Sequence, residues 1–371
     1  MRIKVLIVST VGLGFDGISN VILSHIQYID QDKFDISVAS TTNIDEQIKK
    51  LINEKGISVI ELPNRKRNLV KYYVSLAKHI KANGYEVIHA HGNSSTLLIE
   101  MLATRKVHKC VRIVHAHSMS CSHKLANLIL SPFFIRSYDI ALACSKSAGE
   151  FLFGNNKFSV IVNGRDIDKY RFCNKNRESV RTQYGIQGLL LGHVGNFLEV
   201  KNHRFILEIF RSVLQRCPSA KLMLIGDGPL KSEIVEAAAD ISEHIFFLNR
   251  ISNVEVYLSA MDVMILPSFY EGLPLTAIEW QINGLPCIIS DRVSKESRLT
   301  ENVHFLPIHE NAKEWADRVI DLHSKVERNS VYAEKSLQQV RSKGFAIEDA
   351  VLELQKVYTS SVCKNISDDN I

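Results

Sequence analysis

Short apolar, β-branched runs alternate with longer amphipathic stretches over most of the chain. Seven runs predict strands in the first half: Lys4–Ser9, Asp35–Ala39, Val59–Leu62, Val87–Ala90, Arg112–Ala116, Ile140–Ala143 and Ser159–Val162. The pattern restarts with Leu189–Val194, Leu222–Ile225, Ile245–Leu248, Val263–Leu266, Cys287–Ser290 and His304–Leu306. Beyond residue 310 the chain reads as helical. Near-continuous apolar strands separated by helices imply parallel sheets covered on both faces. The polar stretch "NGRDIDKYRFCNKNRESVRTQYGIQ" separates the two series and puts a domain boundary near residues 165–188. The expected fold class is therefore α/β, with two Rossmann-like, doubly wound domains. Ligands of such sheets bind at the carboxyl ends of the strands, and two sheets facing each other make a central cleft.

Composition narrows the class. A chain of 371 residues is long enough for two full cores. No apolar run reaches the roughly 18 residues of a membrane span. The first run is short and carries Arg2 and Lys4, so it reads as a strand rather than a signal peptide. Seven cysteines without a C-x-x-C argue against a disulfide framework or a thiolate zinc site. The reducing cytosol is the expected compartment. Charge is uneven: residues 1–185 carry 26 Lys and Arg against 15 Asp and Glu, whereas the remainder carries 19 against 25. A basic half points to a polyanionic or membrane-surface partner, or to no more than scattered solvated lysines.

Gly12, Gly14 and Gly17 in "STVGLGFDGISN" spell G-x-G-x-x-G after the first strand. A dinucleotide site also needs an acid about 20 positions on, at the end of the second strand. Asp35 is at the wrong end of that strand and Asp45 lies beyond it. The loop therefore reads as a tight turn, or as a phosphate-approaching helix start, and "DGISN" as a polar-capped helix N-terminus. A dehydrogenase stays as a minor alternative.

Residues 266–291, "LPSFYEGLPLTAIEWQINGLPCIISD", carry the chemistry. A strand ends at Leu266, a loop holds Glu271 and Gly272, Pro274 suits a first helical turn, and Gly284 ends the helix. Free N–H groups at Gly272, Leu273 and the helix start can bind a diphosphate. Glu271 and Glu279 are eight residues apart, about 12 Å along a helix. That distance is too long for a shared-proton dyad and suits the two ends of one extended ligand.

"EGLPLTAIE" resembles the E-x7-E signature of retaining nucleotide-sugar glycosyltransferases of family four, which have the GT-B fold. "LIGDGPLKSEI", "FFLNRISNVEVYLSAMDVMILPS", "VIVNGRDIDKYRF" and "KGFAIEDAVLELQKVY" resemble other segments of that family, and the likeness runs over nearly the whole chain. It implies an acceptor domain over 1–170, a nucleotide-sugar domain over 171–345 and a last helix, 346–371, that returns to the first domain. It implies that Glu271 contacts the donor hexose, Glu279 the nucleotide ribose, and Gly272, Leu273 and Pro274 cradle the phosphates. Lys201 matches the lysine that neutralises the leaving diphosphate. Arg250 sits where the base is framed, His117 matches a histidine facing the donor sugar, and Gly17, with Gly14 in the same loop, matches the first-strand loop. The family usually has an arginine five residues before the lysine. Here it is Asn196, which hydrogen-bonds but carries no charge, so either Arg250 or Arg204 compensates or phosphate binding is weaker. The resemblance further implies hexosyl transfer from a UDP- or GDP-sugar with retention and front-face attack, without metal or cofactor, in capsule or exopolysaccharide assembly. A non-catalytic sugar-binding protein of the same fold is the other alternative.

Three further features bear on partners. His89, His91, His115 and His117 lie at two strand ends, each pair on one face, which could suggest a metal site; no carboxylate or third motif joins them, and the family resemblance implies no metal. "NRKR" (64–67) and "RKVHKCVR" (105–112) are basic. "HKLANLILSPFFIR" (123–136) is either an interfacial helix that meets anionic lipid or a buried helix broken at Pro132. The expected partners are a nucleotide sugar, a saccharide or lipid-linked acceptor and the inner face of the membrane, not nucleic acid.

Overall fold

The computed structural model describes residues 2–14, 16–41, 44–105, 110–309 and 311–368. The chain divides into two compact units, Met1–Gly164 with Ile347–Ile371, and Arg165–Ala346.

In the first unit, β1 (Ile3–Ser9), β2 (Phe34–Thr41), β3 (Ser58–Leu62), β4 (Val87–Gly92), β5 (Val111–Ala116), β6 (Ile140–Ala143) and β7 (Ser159–Val160) form one parallel sheet. Its order is β3-β2-β1-β4-β5-β6-β7. In the second unit, β8 (Leu190–Val194), β9 (Lys221–Ile225), β10 (Ile245–Leu248), β11 (Val263–Leu266), β12 (Cys287–Ser290) and β13 (Val303–Leu306) follow the order β10-β9-β8-β11-β12-β13, again all parallel. All thirteen expected strands are present among the described residues, with β7 ending two residues early. In each sheet the order reverses once, between β1 and β4 and between β8 and β11, and ligands of such sheets bind at that reversal.

Each first-unit face has its own core. One holds Val5, Ile7, Ile113 and Leu142 with Ile22 and Ile26 of helix Gly17–Tyr28 and with Ile347, Val351, Leu354, Tyr358 and Val362 of helix Ile347–Asp368. The spacing of those last five makes one helical stripe. The other face packs Leu6, Val8, Ile88 and Val114 against Tyr72, Leu76 and Ile80 of helix Leu69–Asn83.

In the second unit, helix Leu275–Ile282 follows β11 and is buried from Ala277 to Ile282. Its C-terminal end is fixed from several sides. Asn283 Nδ2 donates to Tyr170 O at 2.9 Å. The buried Arg328 guanidinium donates to Asn283 O and Oδ1, both at 2.6 Å. Burial lowers the Arg328 pKa to about 9, and these acceptors hold its donors. Gly284 turns the chain at φ +73°, and a Cβ there would fall 2.5 Å from Ala333 Cα. Gly284→Ala therefore meets both a left-handed backbone and a backbone collision, and is expected to cost about 1–3 kcal/mol. Chemical denaturation of the purified variant measures it.

Candidate active site

The loops that follow β8 and β11 meet at the reversal of the second sheet. Lys201 ends the turn Glu199–Lys201, just before helix His203–Leu214. Its Nζ donates to Glu271 Oε2 at 2.8 Å, and Ser268 Oγ donates to Glu271 Oε1 at 2.6 Å. Both charged side chains are only 15% exposed, so Lys201 is not an ordinary surface lysine. The lysine expected to meet phosphate and the carboxylate expected to meet sugar are thus each other's partners here.

Gly272, Leu273 and Pro274 lead into the helix, with Pro274 as its N-cap and no side-chain cap among the described residues. The expected 12 Å helical separation of Glu271 and Glu279 does not hold, because the helix starts only at Leu275. The residue before a proline is disfavoured in the helical region, so Leu273 stays outside. Ala277 N–H meets Pro274 O at 3.1 Å, no side chain caps the first turn among the described residues, and the buried Thr276 Oγ1 has no hydrogen-bond partner among them. Uncapped N–H groups and the helix dipole favour an anion there.

Glu279 is held from elsewhere. Arg165 donates from Nε at 2.9 Å and from Nη2 to Glu279 Oε1, and its guanidinium lies 5.7 Å from the centre of the Tyr170 ring. Burial works against the Arg165 charge, and neighbouring Glu279 more than offsets this and raises its pKa. Arg165 lies within the "VIVNGRDIDKYRF" stretch, where nothing in the local sequence points to Glu279.

Asn196 accepts from Arg250 Nη2 at 3.5 Å. Arg204, the other cation considered for compensation, pairs with Glu233 at 2.5 Å instead. Arg250 follows the end of β10 and reaches Asn196 beside the loop after β9. That loop packs closely: a Cβ on Gly226 would lie 2.0 Å from Gly195 O. Lys231, which sequence reasoning also missed, donates to Gly226 O, Leu248 O and Asn249 Oδ1.

In the first unit, Asp16 caps helix Gly17–Tyr28. Its Oδ1 accepts from Ile18 N at 2.9 Å and Ser19 N at 3.1 Å, while Gly14 N donates to Ser19 Oγ at 3.1 Å. The polar cap is as expected. The phosphate-binding reading of this turn is not supported, because a carboxylate occupies the N–H groups a phosphate would need. Asp45 caps helix Glu46–Glu54, so it is no ribose acid and the dehydrogenase alternative loses its last candidate. Nothing among the described atoms lies within 4 Å of a Cβ on Gly17.

His117 follows β5, half-buried, with Nε2 2.8 Å from His91 Nδ1. Its Nδ1 is buried and unpartnered, so neither nitrogen is presented to solvent. His89 Nδ1 meets Tyr358 OH at 2.7 Å and its Nε2 meets His115 Nδ1 at 3.2 Å. Ring nitrogens of His89, His91 and His115 come within 4.8 Å of one another. Their rings stack or tilt against each other, one bond joins His89 to His115, and His91 Nε2 and His115 Nε2 are buried without partners among the described residues.

"NRKR" is only partly available. Arg65 forms a buried fork with Glu100, at 2.7 and 3.1 Å, and Lys66 and Arg67 are exposed. In "RKVHKCVR", residues 106–109 lie outside the described residues and Arg112 pairs with Asp139. Helix Lys124–Phe134 runs through Pro132 unbroken and buries only Phe134. Leu125 and Leu128 are each 72% exposed, Ile129 59% and Phe133 64%. The buried-helix alternative is therefore wrong. Asn127 Oδ1 accepts from Ser95 N on the packed side, and the apolar stripe lies opposite.

Burial lowers the pKa of His25 to about 4 and of His117 to about 3, and holds His89, His91 and His115 well below 6.5. The unfolded chain binds more protons than the folded one between those values and about 6.5, so stability is fully present above that pH and falls as pH drops through the window. Unfolding in urea at pH 5.5 is expected to take up several protons, against nearly none at pH 8. Proton release or no exchange at pH 5.5 would contradict the buried neutral cluster.

Comparison with known proteins agrees with this geometry. Residues 15–169 match the family "Glycosyltransferase Family 4" and residues 188–325 match "Glycosyl transferases group 1". A putative glycosyltransferase, EpsF of Bacillus subtilis, is 27% identical, covering 95% of this chain and 96% of its own. An Escherichia coli UDP-Gal:alpha-D-GlcNAc-diphosphoundecaprenol alpha-1,3-galactosyltransferase is 24% identical over 74% of this chain and 76% of its own. Anabaena HepE in complex with UDP superposes with a TM-score of 0.80 at 16% identity, covering 96% of this chain and 100% of that one. Its UDP-glucose complex gives 0.78 at 17% identity, with 97% and 100% covered. The chain belongs to the family-four glycosyltransferases and has their GT-B fold.

Proposed function

We propose that this enzyme moves a hexosyl unit from a nucleotide sugar to a saccharide acceptor with retention of configuration, in bacterial surface-polysaccharide assembly. The observation that carries it is the Lys201–Glu271 pair beside an uncapped helix N-terminus. Donor binding would exchange that internal pair for two external ones: Lys201 to the diphosphate and Glu271 to hexose hydroxyls. Gly272, Leu273 and the first-turn N–H groups would stabilise charge developing on the leaving diphosphate. Arg250 beside Asn196 would supply a second positive charge. No side chain is assigned as a covalent nucleophile, so attack comes from the face the diphosphate leaves. The HepE complexes and the galactosyltransferase name favour a UDP-sugar. No metal or cofactor is assigned a role.

The acceptor is assigned to the first unit, with Gly14 and Gly17 in its loop. The diphosphoundecaprenol substrate named for the Escherichia coli relative favours a lipid-linked acceptor. The stripe Leu125, Leu128, Ile129 and Phe133, with Lys124 and Arg136 at its ends, supports peripheral contact with anionic lipid. No helix among the described residues is long and apolar enough to cross a membrane.

Purified enzyme, dialysed against EDTA, is expected to hydrolyse a UDP- or GDP-sugar slowly. Lys201→Met should lower that rate about 100-fold or more, and Glu271→Ala should abolish it. Failure to bind any nucleotide sugar would end the transferase reading, and stoichiometric zinc or manganese restoring lost activity would end the metal-free one. Flotation with phosphatidylglycerol vesicles at low salt should carry the protein upward, and Leu128→Asp with Phe133→Asp should leave it at the bottom. Gly17→Val should impair transfer more than nucleotide binding.

A further inference from the structure

We propose that the exposed lysines of helix Leu69–Asn83 bind anionic phospholipid headgroups, so that this helix supplies the charge contact of a membrane seat whose apolar contact is helix Lys124–Phe134. This rests on the peripheral lipid contact proposed above and adds a second helix to it.

Tyr72, Leu76 and Ile80 bury one side of helix Leu69–Asn83. At about 100° per residue, Val70, Lys71, Val74, Lys78 and Lys81 fall within one arc on the opposite side. All five are exposed, Val70 by 74% and Val74 by 55%. Lys66 and Arg67, just before the helix, are exposed as well. None of these five cations pairs with a carboxylate among the described residues. Lys78 and Lys81 stand one turn apart, where like charges repel. The helix thus presents a cationic stripe interleaved with valine, and nothing within the unit offsets its charge.

The two helices cover the same face of the first sheet, since Tyr72, Leu76, Ile80 and Phe134 belong to one core. Helix Leu98–Ala103 and the turn Ser95–Leu97 before it tie them together. Arg65 Nη2 donates to Thr96 O at 2.7 Å, and Tyr73 OH donates to Leu102 O at 3.5 Å. From the other side, Ser95 N donates to Asn127 Oδ1 at 2.7 Å. The segments that build these helices, 62–85, 93–105 and 117–138, hold nine Lys and Arg against one acid, Glu100. Glu100 is buried and forked to Arg65, so the outer surface of these segments carries one sign of charge. Exposed Val70, Val74, Leu125, Leu128 and Ile129 lie on that surface with the cations. A bilayer with anionic headgroups complements both: cations meet phosphate, and apolar side chains enter the interface. A soluble polyanion would use the cations and leave the apolar side chains in water.

The test partitions the full chain onto phosphatidylcholine vesicles, with and without phosphatidylglycerol, at low and high salt. Wild type is expected to prefer the anionic vesicles at low salt and to lose that preference at high salt. Lys71→Gln combined with Lys78→Gln and Lys81→Gln should weaken binding to them about 100-fold, about fivefold for each cation. The same three positions changed to Arg keep the charge and should bind like wild type. All three positions are exposed, and circular dichroism checks that both variants fold. A Gln triple that binds like wild type, or wild type that binds neutral and anionic vesicles alike, overturns the proposal and leaves the apolar contact standing. Tighter binding to dextran sulfate than to the vesicles assigns the cations to a soluble polyanion and overturns it too. Wild type that binds neither vesicle refutes the membrane contact itself.

Discussion

Helix Leu275–Ile282 is enclosed on nearly every side, and that enclosure governs the second unit. A buried polar group must find a partner or be lost as stability. The helix nevertheless carries Glu279 and Gln281 in its interior. Gln281 solves this locally: its amide donates to Ala277 O and Ser297 O, and its carbonyl accepts from Leu299 N and Thr300 N. Asn283 and Arg328 close the C-terminal end. The side-chain amides of Gln281 and Asn283 are therefore satisfied, whereas Trp280 Nε1 is buried without a partner among the described residues. Capacity is also left over at the N-terminal turn, where Thr276 Oγ1 is unpartnered and no side chain caps the helix among the described residues.

The two units handle the same problem in opposite ways. Both place a loop and a helix start at a sheet reversal. In the first, Asp16 fills the helix N-terminus with its own carboxylate. In the second, Pro274 caps without a side-chain acceptor. Similar glycine-bearing loops thus have different electrostatic standing. One is internally neutralised, and the other is available to an external anion.

Much of this was legible in the sequence. The strands were plain because buried parallel strands read as short apolar runs, and β8 to β13 recur almost to the residue. Glu271, Lys201 and the glycine-proline turn belong to a local pattern and could be read from it. Arg165 could not be given its role, since its partner lies 114 residues away. Its neighbours look like any polar linker. The helical rise between the two glutamates misled because periodicity does not show where a helix begins, and Pro274 delayed it. Helix Lys124–Phe134 was ambiguous for another reason: apolar spacing reports a face but not what covers it. His117 was found by pattern, but its hydrogen bond to His91 depends on strand pairing.

The path of the chain has a consequence for how the protein is made. The second unit is continuous in sequence, whereas the first needs Ile347–Asp368, which packs on the face of β1, β4 and β5. Tyr358 meets His89 across 269 residues. During synthesis the first unit therefore emerges early but keeps one core face uncovered until the second has been made. Contacts of such long sequence separation form late because their loop-closure entropy is large. The unit synthesised first is completed last, and a truncation before Ile347 would leave Val5, Ile7 and Ile113 without their covering helix.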